Sequence, residues 1–182
     1  GISLSANLAP FEWTTAAGQT FKVNLIDTPG FADFAGGVDA ALAVADLAVV
    51  VVSAVDGVQV GTEQVWAQCE AAGIPRLIFV TKEDRPRADF HAVLAQLRER
   101  FGSSVVPLQL PIGEEESLHG VAEVLTEKAY DYDAEGHHHD AEAPAELASE
   151  QHELHDQVTE EIVSGDDEAL ERRVRRVLDR DG

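Results

Sequence analysis

Phe21-Lys22-Val23-Asn24-Leu25-Ile26-Asp27-Thr28-Pro29-Gly30 decides the fold, because an apolar, strand-like run closes on an acidic residue and a Pro-Gly turn. A second stretch has the same form: Leu77-Ile78-Phe79-Val80 leads directly into Thr81-Lys82-Glu83-Asp84. Each charged segment therefore sits at the carboxyl end of a buried strand, where open α/β sheets place their ligands. Between them, Phe34 to Asp46 carries Phe34, Val38, Leu42 and Ala45 at helical spacing, and Leu47 to Val52 is a continuous apolar run of the kind a strand covered on both faces shows. This is a β-α-β step, and it repeats. A turn at Asp56-Gly57 precedes a helix from about Gly61 to Ala72, a strand from Arg76 to Val80 and a helix from Ala88 to Phe101. Val105 to Leu110 reads as one further strand. Upstream, Leu4 to Thr15 is extended, residues 16 to 19 turn, and Phe21 to Ile26 returns as the second arm of a hairpin. The alternation predicts an α/β fold: a mostly parallel sheet with helices on both faces and right-handed crossovers.

After Pro111 the texture changes. Residues 113 to 168 are dense in Asp and Glu, with Lys128 the only Lys or Arg among them. Val121 to Tyr132 alternates like a short strand or hairpin, and Leu147, Leu154, Val158 and Ile162 mark a helix begun by Pro144 and ended by Gly165. A last helix, Asp166 to Leu178, has acidic residues at its start and arginines toward its end, as the helix dipole favours. The expected organisation is an α/β domain over 1–112 and a small acidic α+β subdomain over 113–182.

Composition narrows the function. A net charge of -21 excludes a protein that binds RNA or DNA over most of its surface, since phosphate binding needs clustered Lys and Arg. Any nucleic-acid contact is local. The single cysteine, Cys69, has no partner for a disulfide and reads as a small buried hydrophobe in a reducing cytoplasm. No apolar run approaches the roughly 18 residues of a membrane span, and no signal peptide opens the chain. The sequence contains no methionine, so a segment of a longer protein is expected.

The chemistry of the two strand ends is specific when they are taken together. Alone, Asp27 to Gly30 is also what a simple strand-to-turn signal looks like, and Thr81 to Asp84 what an ordinary charged loop looks like. In functional terms, Asp27 holds a Mg²⁺ through water, and the Gly30 amide approaches a γ-phosphate. Asp84 accepts two hydrogen bonds from guanine N1–H and N2–H, worth roughly 1.5–3 kcal/mol each, whereas adenine has no N1–H to offer. Lys82 lays its methylene stem along the base plane. In order, each after a strand expected to be buried, the two motifs are more specific than either alone and together look like a guanine-nucleotide site.

The similarity extends beyond them. Gly1-Ile2-Ser3 with the hairpin, Gly36-Gly37-Val38-Asp39-Ala40-Ala41-Leu42, the run Val49 to Val58, Thr62-Glu63 and Val106 to Gly113 all resemble the G domain of elongation factor G, over roughly residues 1 to 165. The resemblance implies a P-loop-NTPase-like fold, with residues 113–182 as the insertion that family carries. It implies GTP or GDP with Mg²⁺ as ligands, Ser3 and Asp27 on the metal, Thr28, Pro29, Gly30 and Phe31 in the γ-phosphate turn, and Thr81, Lys82, Glu83 and Asp84 around the base. It further implies the ribosome as partner, through stalk proteins and local rRNA, with no DNA and no membrane, in the cytoplasm.

Three departures qualify it. The family has His after Asp-Thr-Pro-Gly, where this chain has Phe31, with neither donor nor acceptor; no catalytic residue is therefore assigned, and slow hydrolysis is expected. Thr81 stands where the family has Asn. The phosphate-cradling Gly-x4-Gly-Lys-Ser/Thr does not occur in these residues, so the isolated chain is expected to bind GTP weakly and to be inactive. Three readings stand: a translocation GTPase, a GTP-binding ribosome-docking module with little hydrolysis, and a ribosomal protection or release factor on the same G domain.

The remaining features read as structural. His137 to His139 form a solvated run, His152 and His155 a helix surface, Trp13 and Trp66 core packing, and the arginines from Arg172 to Arg180 a solvated helix face.

Overall fold

The computed structural model describes residues 6–15, 17–30 and 35–164. Ser3, Phe31 and the expected helix from 166, with its arginines, lie outside them. The chain divides into two compact units, Gly1–Thr81 and Lys82–Gly182.

In the first unit, β1 (Asn7–Thr14) and β2 (Thr20–Asp27) form an antiparallel hairpin whose register runs from Asn7 opposite Asp27 to Thr14 opposite Thr20. Its turn is closed by the Gly18 amide donating to the Thr15 carbonyl at 2.8 Å, with Gly18 at φ 80, a conformation that suits glycine. Trp13 stacks on Phe21 across the register at 6.4 Å. Trp13 nevertheless stays 56% exposed, which corrects the expectation of core packing. A two-stranded ribbon cannot bury its own faces.

α1 (Ala35–Leu42) leads to β3 (Ala48–Ser53), α2 (Val60–Ala72) and β4 (Arg76–Thr81). β3 and β4 are parallel, from Ala48 opposite Arg76 to Ser53 opposite Thr81. The apolar run splits by strand period. Val50 and Val52 are buried, whereas Val49 and Val51, with Leu77 and Phe79 opposite them, are exposed. α2 packs on β3 and fully buries Cys69, whose thiol pKa is raised by that burial. Gly73, at φ 67, ends α2 in a Schellman arrangement: its amide donates to Glu70 O, and that of Ile74 to Cys69 O. Trp66 is half-buried and lies under the Arg76 guanidinium, 4.3 Å from its ring centre.

The second unit holds α3 (Phe90–Phe101), β5 (Gln109–Ile112), β6 (Gly120–Glu123), β7 (Ala129–Tyr132), β8 (His138–Ala141) and α4 (Ala145–Ser164). Asp89 caps α3 by accepting the Ala92 amide at 2.8 Å, and Arg98 and Arg100 occupy its last turn. The four strands form one antiparallel sheet in the order β5-β6-β7-β8. The strand expected over 105–110 thus begins at Gln109 and joins this antiparallel sheet. Pro107 has no amide to give, and the Val105 carbonyl is taken by Arg98 Nε at 2.9 Å, so pairing begins at Leu108, whose carbonyl accepts the Val124 amide at 2.9 Å, and continues with Gln109 opposite Glu123.

α4 packs on β5 and β6, and the core gathers Leu110, Ile112, Ala122, Val124, Ala129, Leu154 and Val158. Gln151, 3% exposed, donates from its amide to Glu123 O at 2.7 Å and Lys128 O at 3.0 Å, closing the β6–β7 turn. His155 Nδ1 lies 3.0 Å from Val124 O, and His152 Nδ1 2.7 Å from Glu127, so both histidines serve the same turn. At the start of β8 the strand alternation separates the three-histidine run. His137 and His139 face Asp133 at 3.2 and 3.5 Å, and His138 sits edge-on to Tyr130.

Candidate guanine-nucleotide site

The residues expected at the site fall in both units. Asp27, Thr28, Pro29, Gly30 and Thr81 belong to the first, and Lys82, Glu83 and Asp84 to the second. Asp27 is the last residue of β2 and is exposed; Thr28 is half-buried and Pro29 buried. Pro29 has no amide for a ladder, so the strand stops here. Gly30 is exposed and lies outside the left-handed region, and a Cβ built on it meets nothing within 4 Å among the described residues. Among the described residues, then, no contact requires glycine at this position.

The carboxyl ends of the parallel pair carry two tight loops. After β3, Ser53 Oγ accepts the amides of Val55 and Asp56 at 3.3 and 3.2 Å, and the Gly57 amide returns to the Ser53 carbonyl at 2.9 Å. After β4, Thr81 is committed to the sheet. Its hydroxyl donates to Val52 O at 3.3 Å, and its carbonyl accepts the Ala54 amide at 2.8 Å. Its side chain is thus occupied in positioning the strand end.

Lys82 turns the chain at φ 63, and the Arg85 amide donates back to its carbonyl at 3.1 Å, which places Asp84 at the third position of a four-residue turn. Asp84 is exposed and lies 3.5 Å from the Arg85 Nε; both side chains are more than 60% exposed, so the pair contributes about 0–1 kcal/mol. A ligand displaces that pairing at little cost. Glu83 points elsewhere. Its Oε1 is buried with no hydrogen-bond partner among the described residues, and it lines an open cavity with Asp89, His91 and Glu114. Burial raises its pKa above the ordinary carboxylate value, with Asp89 and Glu114 adding to the rise and His91 opposing it.

Sequence reasoning missed three participants. Ser53 carries no motif, Arg85 looks like any surface charge, and Glu115 meets the segment after Asp84 from 28 residues away, its Oε1 accepting the Arg87 amide at 2.5 Å. Only the Pro86 between the two arginines signals a turn there.

Comparison with known proteins places this architecture. Residues 1–171 match the family described as the elongation factor Tu GTP binding domain. Elongation factor G 1 of Treponema denticola is 40% identical over 182 aligned positions, covering 91% of this chain and 27% of that protein. A crystal structure of a protein from Thermus thermophilus superposes with a TM-score of 0.83 at 36% identity, covering 96% of this chain and 25% of the other. The chain belongs to the elongation factor Tu GTP-binding-domain family. It spans about a quarter of the length of the relatives it matches. Among the described residues no helix is long and apolar enough to cross a membrane.

Proposed function

We propose that this chain is the part of an elongation factor G-like GTPase that reads guanine and contacts the γ-phosphate and Mg²⁺, in a cytoplasmic protein acting on the ribosome and coupling slow GTP hydrolysis to translocation. The observation that carries the reading is the placement of the two motifs. Thr81-Lys82-Glu83-Asp84 leaves the carboxyl end of a parallel strand with Asp84 exposed, and Asp27 ends β2 exposed, followed by Gly30, at which an added Cβ meets nothing within 4 Å among the described residues. Lys82 and Asp84 take the base. Asp27 and Ser3 take Mg²⁺ when it is bound, and the metal then supplies charge neutralisation at the phosphates. Residues 113–182 form the inserted acidic subdomain, whose excess negative charge suits a basic stalk protein.

The test is nucleotide binding by the full-length protein that carries these residues. Asp84→Ala removes two charge-assisted bonds, so GDP affinity falls at least tenfold, at about 1.4 kcal/mol per factor of ten, while ADP binding does not change. Equal GDP affinity in wild type and variant refutes the reading. Phe31 favours a second reading, in which the protein loads GTP and docks on ribosomes with little hydrolysis. Phe31→His raises ribosome-stimulated hydrolysis if the missing imidazole limits the rate, and an unchanged rate rejects that explanation.

A further inference from the structure

Glu115 sits in a 3-10 turn, Glu115–Ser117, which the acidic region places between β5 and β6. Its carboxylate reaches the segment that follows the base-recognition tetrapeptide and accepts the backbone amide of Arg87 at 2.5 Å. Both partners have unusual backbones: Arg87 at φ 70 and Glu115 at φ 49 are left-handed without being glycine. Residues held this way persist only where their surroundings over-determine them.

The turns connect this contact to Asp84. The Arg85 amide donates to Lys82 O at 3.1 Å, and the Ala88 amide donates to Arg85 O at 3.0 Å, so two four-residue turns share Arg85. The second turn, Arg85-Pro86-Arg87-Ala88, has proline at its second position and positive φ at its third, the pattern of a type II turn, in which the third amide is not used by the turn. That amide is the one Glu115 takes. Asp84 holds the equivalent third position in the first turn. A shift of Arg87 is therefore passed through Arg85 to the residue that reads guanine.

We infer that Glu115 is a positioning residue for base recognition, fixing the Lys82–Ala88 double turn so that Asp84 is pre-set for guanine, and coupling the acidic subdomain to nucleotide affinity. The inference rests on the reading of Lys82 and Asp84 as the guanine contacts. It needs no contact between Glu115 and the nucleotide.

The experiment compares Glu115→Ala, Glu115→Gln and Asp84→Ala in the full-length protein carrying this chain, with GDP and ADP as probes and amide hydrogen exchange at Arg87 as a second readout. Glu115→Ala is expected to speed Arg87 exchange and lower GDP affinity about five- to tenfold, within the range of coupling between sites, with ADP binding and thermal midpoint unchanged. Glu115→Gln, which keeps an acceptor without the charge, restores most of the affinity; a merely structural loss would lower the midpoint and both nucleotides together. If Asp84→Ala weakens GDP while Glu115→Ala does not, the inference is overturned and the guanine reading stands. If neither variant changes GDP affinity, the guanine reading fails and the inference with it. Unchanged Arg87 exchange in Glu115→Ala overturns the contact itself. Should Glu115→Ala fail to fold, Glu115→Asn takes its place, since asparagine tolerates the left-handed backbone at φ 49 but is one methylene too short to reach the Arg87 amide; the same losses are expected, and wild-type exchange at Arg87 counts against the inference.

Discussion

Replacing Gln151 by leucine tests whether the acidic subdomain is held together by one buried amide. Gln151 is 3% exposed, and its side-chain nitrogen donates to Glu123 O at 2.7 Å and Lys128 O at 3.0 Å. Leucine keeps most of the volume and removes both donors, so the cavity cost is small and the polar cost dominates. The two carbonyls differ. Lys128 O still accepts the Glu123 amide at 2.7 Å, so losing its second donor costs only the net worth of one hydrogen bond, about 0.5–1.5 kcal/mol. Glu123 O is left to find water at a covered position, which costs about 1–3 kcal/mol. The expected destabilisation is therefore about 1.5–4.5 kcal/mol, a large fraction of the stability of a small domain. Urea unfolding of wild type, Gln151→Leu and Gln151→Glu, followed by far-UV circular dichroism, measures it through the midpoint at constant m. Gln151→Glu replaces the donor with an acceptor facing two carbonyls and is expected to be worse than leucine. A Gln151→Leu midpoint within error of wild type refutes the assignment of the β6–β7 turn to this amide.

Gly30→Ala leaves folding intact or stabilises it by about 0.4–1 kcal/mol, because the site is open and not left-handed, while weakening GTP more than GDP; thermal melts and nucleotide titrations report the two effects separately. Arg87→Gly keeps the amide that Glu115 accepts and relieves a left-handed arginine at φ 70, a cost of about 1–2 kcal/mol, offset by the extra chain entropy of glycine, about 0.5–1 kcal/mol. A modest rise in the thermal midpoint is expected, and a fall contradicts the strain argument. The His152–Glu127 pair, 2.7 Å apart, stabilises the fold over a limited pH range. Its hydrogen bond to Glu127 raises the His152 pKa above the ordinary 6.5, so that contribution is full below 6.5 and lost as pH rises through the raised value. The same bond lowers the Glu127 pKa below 4.5, so that contribution is full above 4.5 and lost as pH falls through the lowered value. The midpoint difference between wild type and Glu127→Gln should peak between these limits, and a difference independent of pH rejects the pairing.

The elements that sequence reading located well are those whose signals are local. α2 has a left-handed glycine just past its end, α3 an aspartate cap and arginines in its last turn, and α4 apolar residues at helical spacing after Pro144. Their bounds fall within about two residues of expectation, the ordinary uncertainty of helix ends. β5 was harder, because Val105 to Leu110 is as apolar as the strands before it. Which sheet such a run joins depends on partners distant in sequence: Arg98 removes one carbonyl from the ladder, and Val124 and Glu123 set its first rungs. Trp13 shows the opposite error, since an aromatic residue amid apolar neighbours suggests a core, yet a hairpin of two strands provides none.

The recognition half of the candidate site is legible because turns are written in short sequence, and that same locality would make base affinity and turnover separable under the proposed reading. Thr81 spends its hydroxyl on Val52 O, so it supplies the strand end, and under the proposed reading the discrimination falls to Asp84. Among the described residues Asp84 lies 3.5 Å from an exposed arginine, a pairing that under the proposed reading guanine would replace at a cost within about 1 kcal/mol. Its placement depends on the Lys82–Arg85 turn, and through the shared Arg85 on an amide taken by a residue 28 positions from its partner, which no local pattern announces. Phe31 follows the other motif in sequence and has no polar group to offer the base. Under the proposed reading, a substitution there is expected to change the activation of water without touching the hydrogen bonds that select guanine, so that turnover varies at Phe31 and affinity at Asp84 or Glu115, each leaving the other in place.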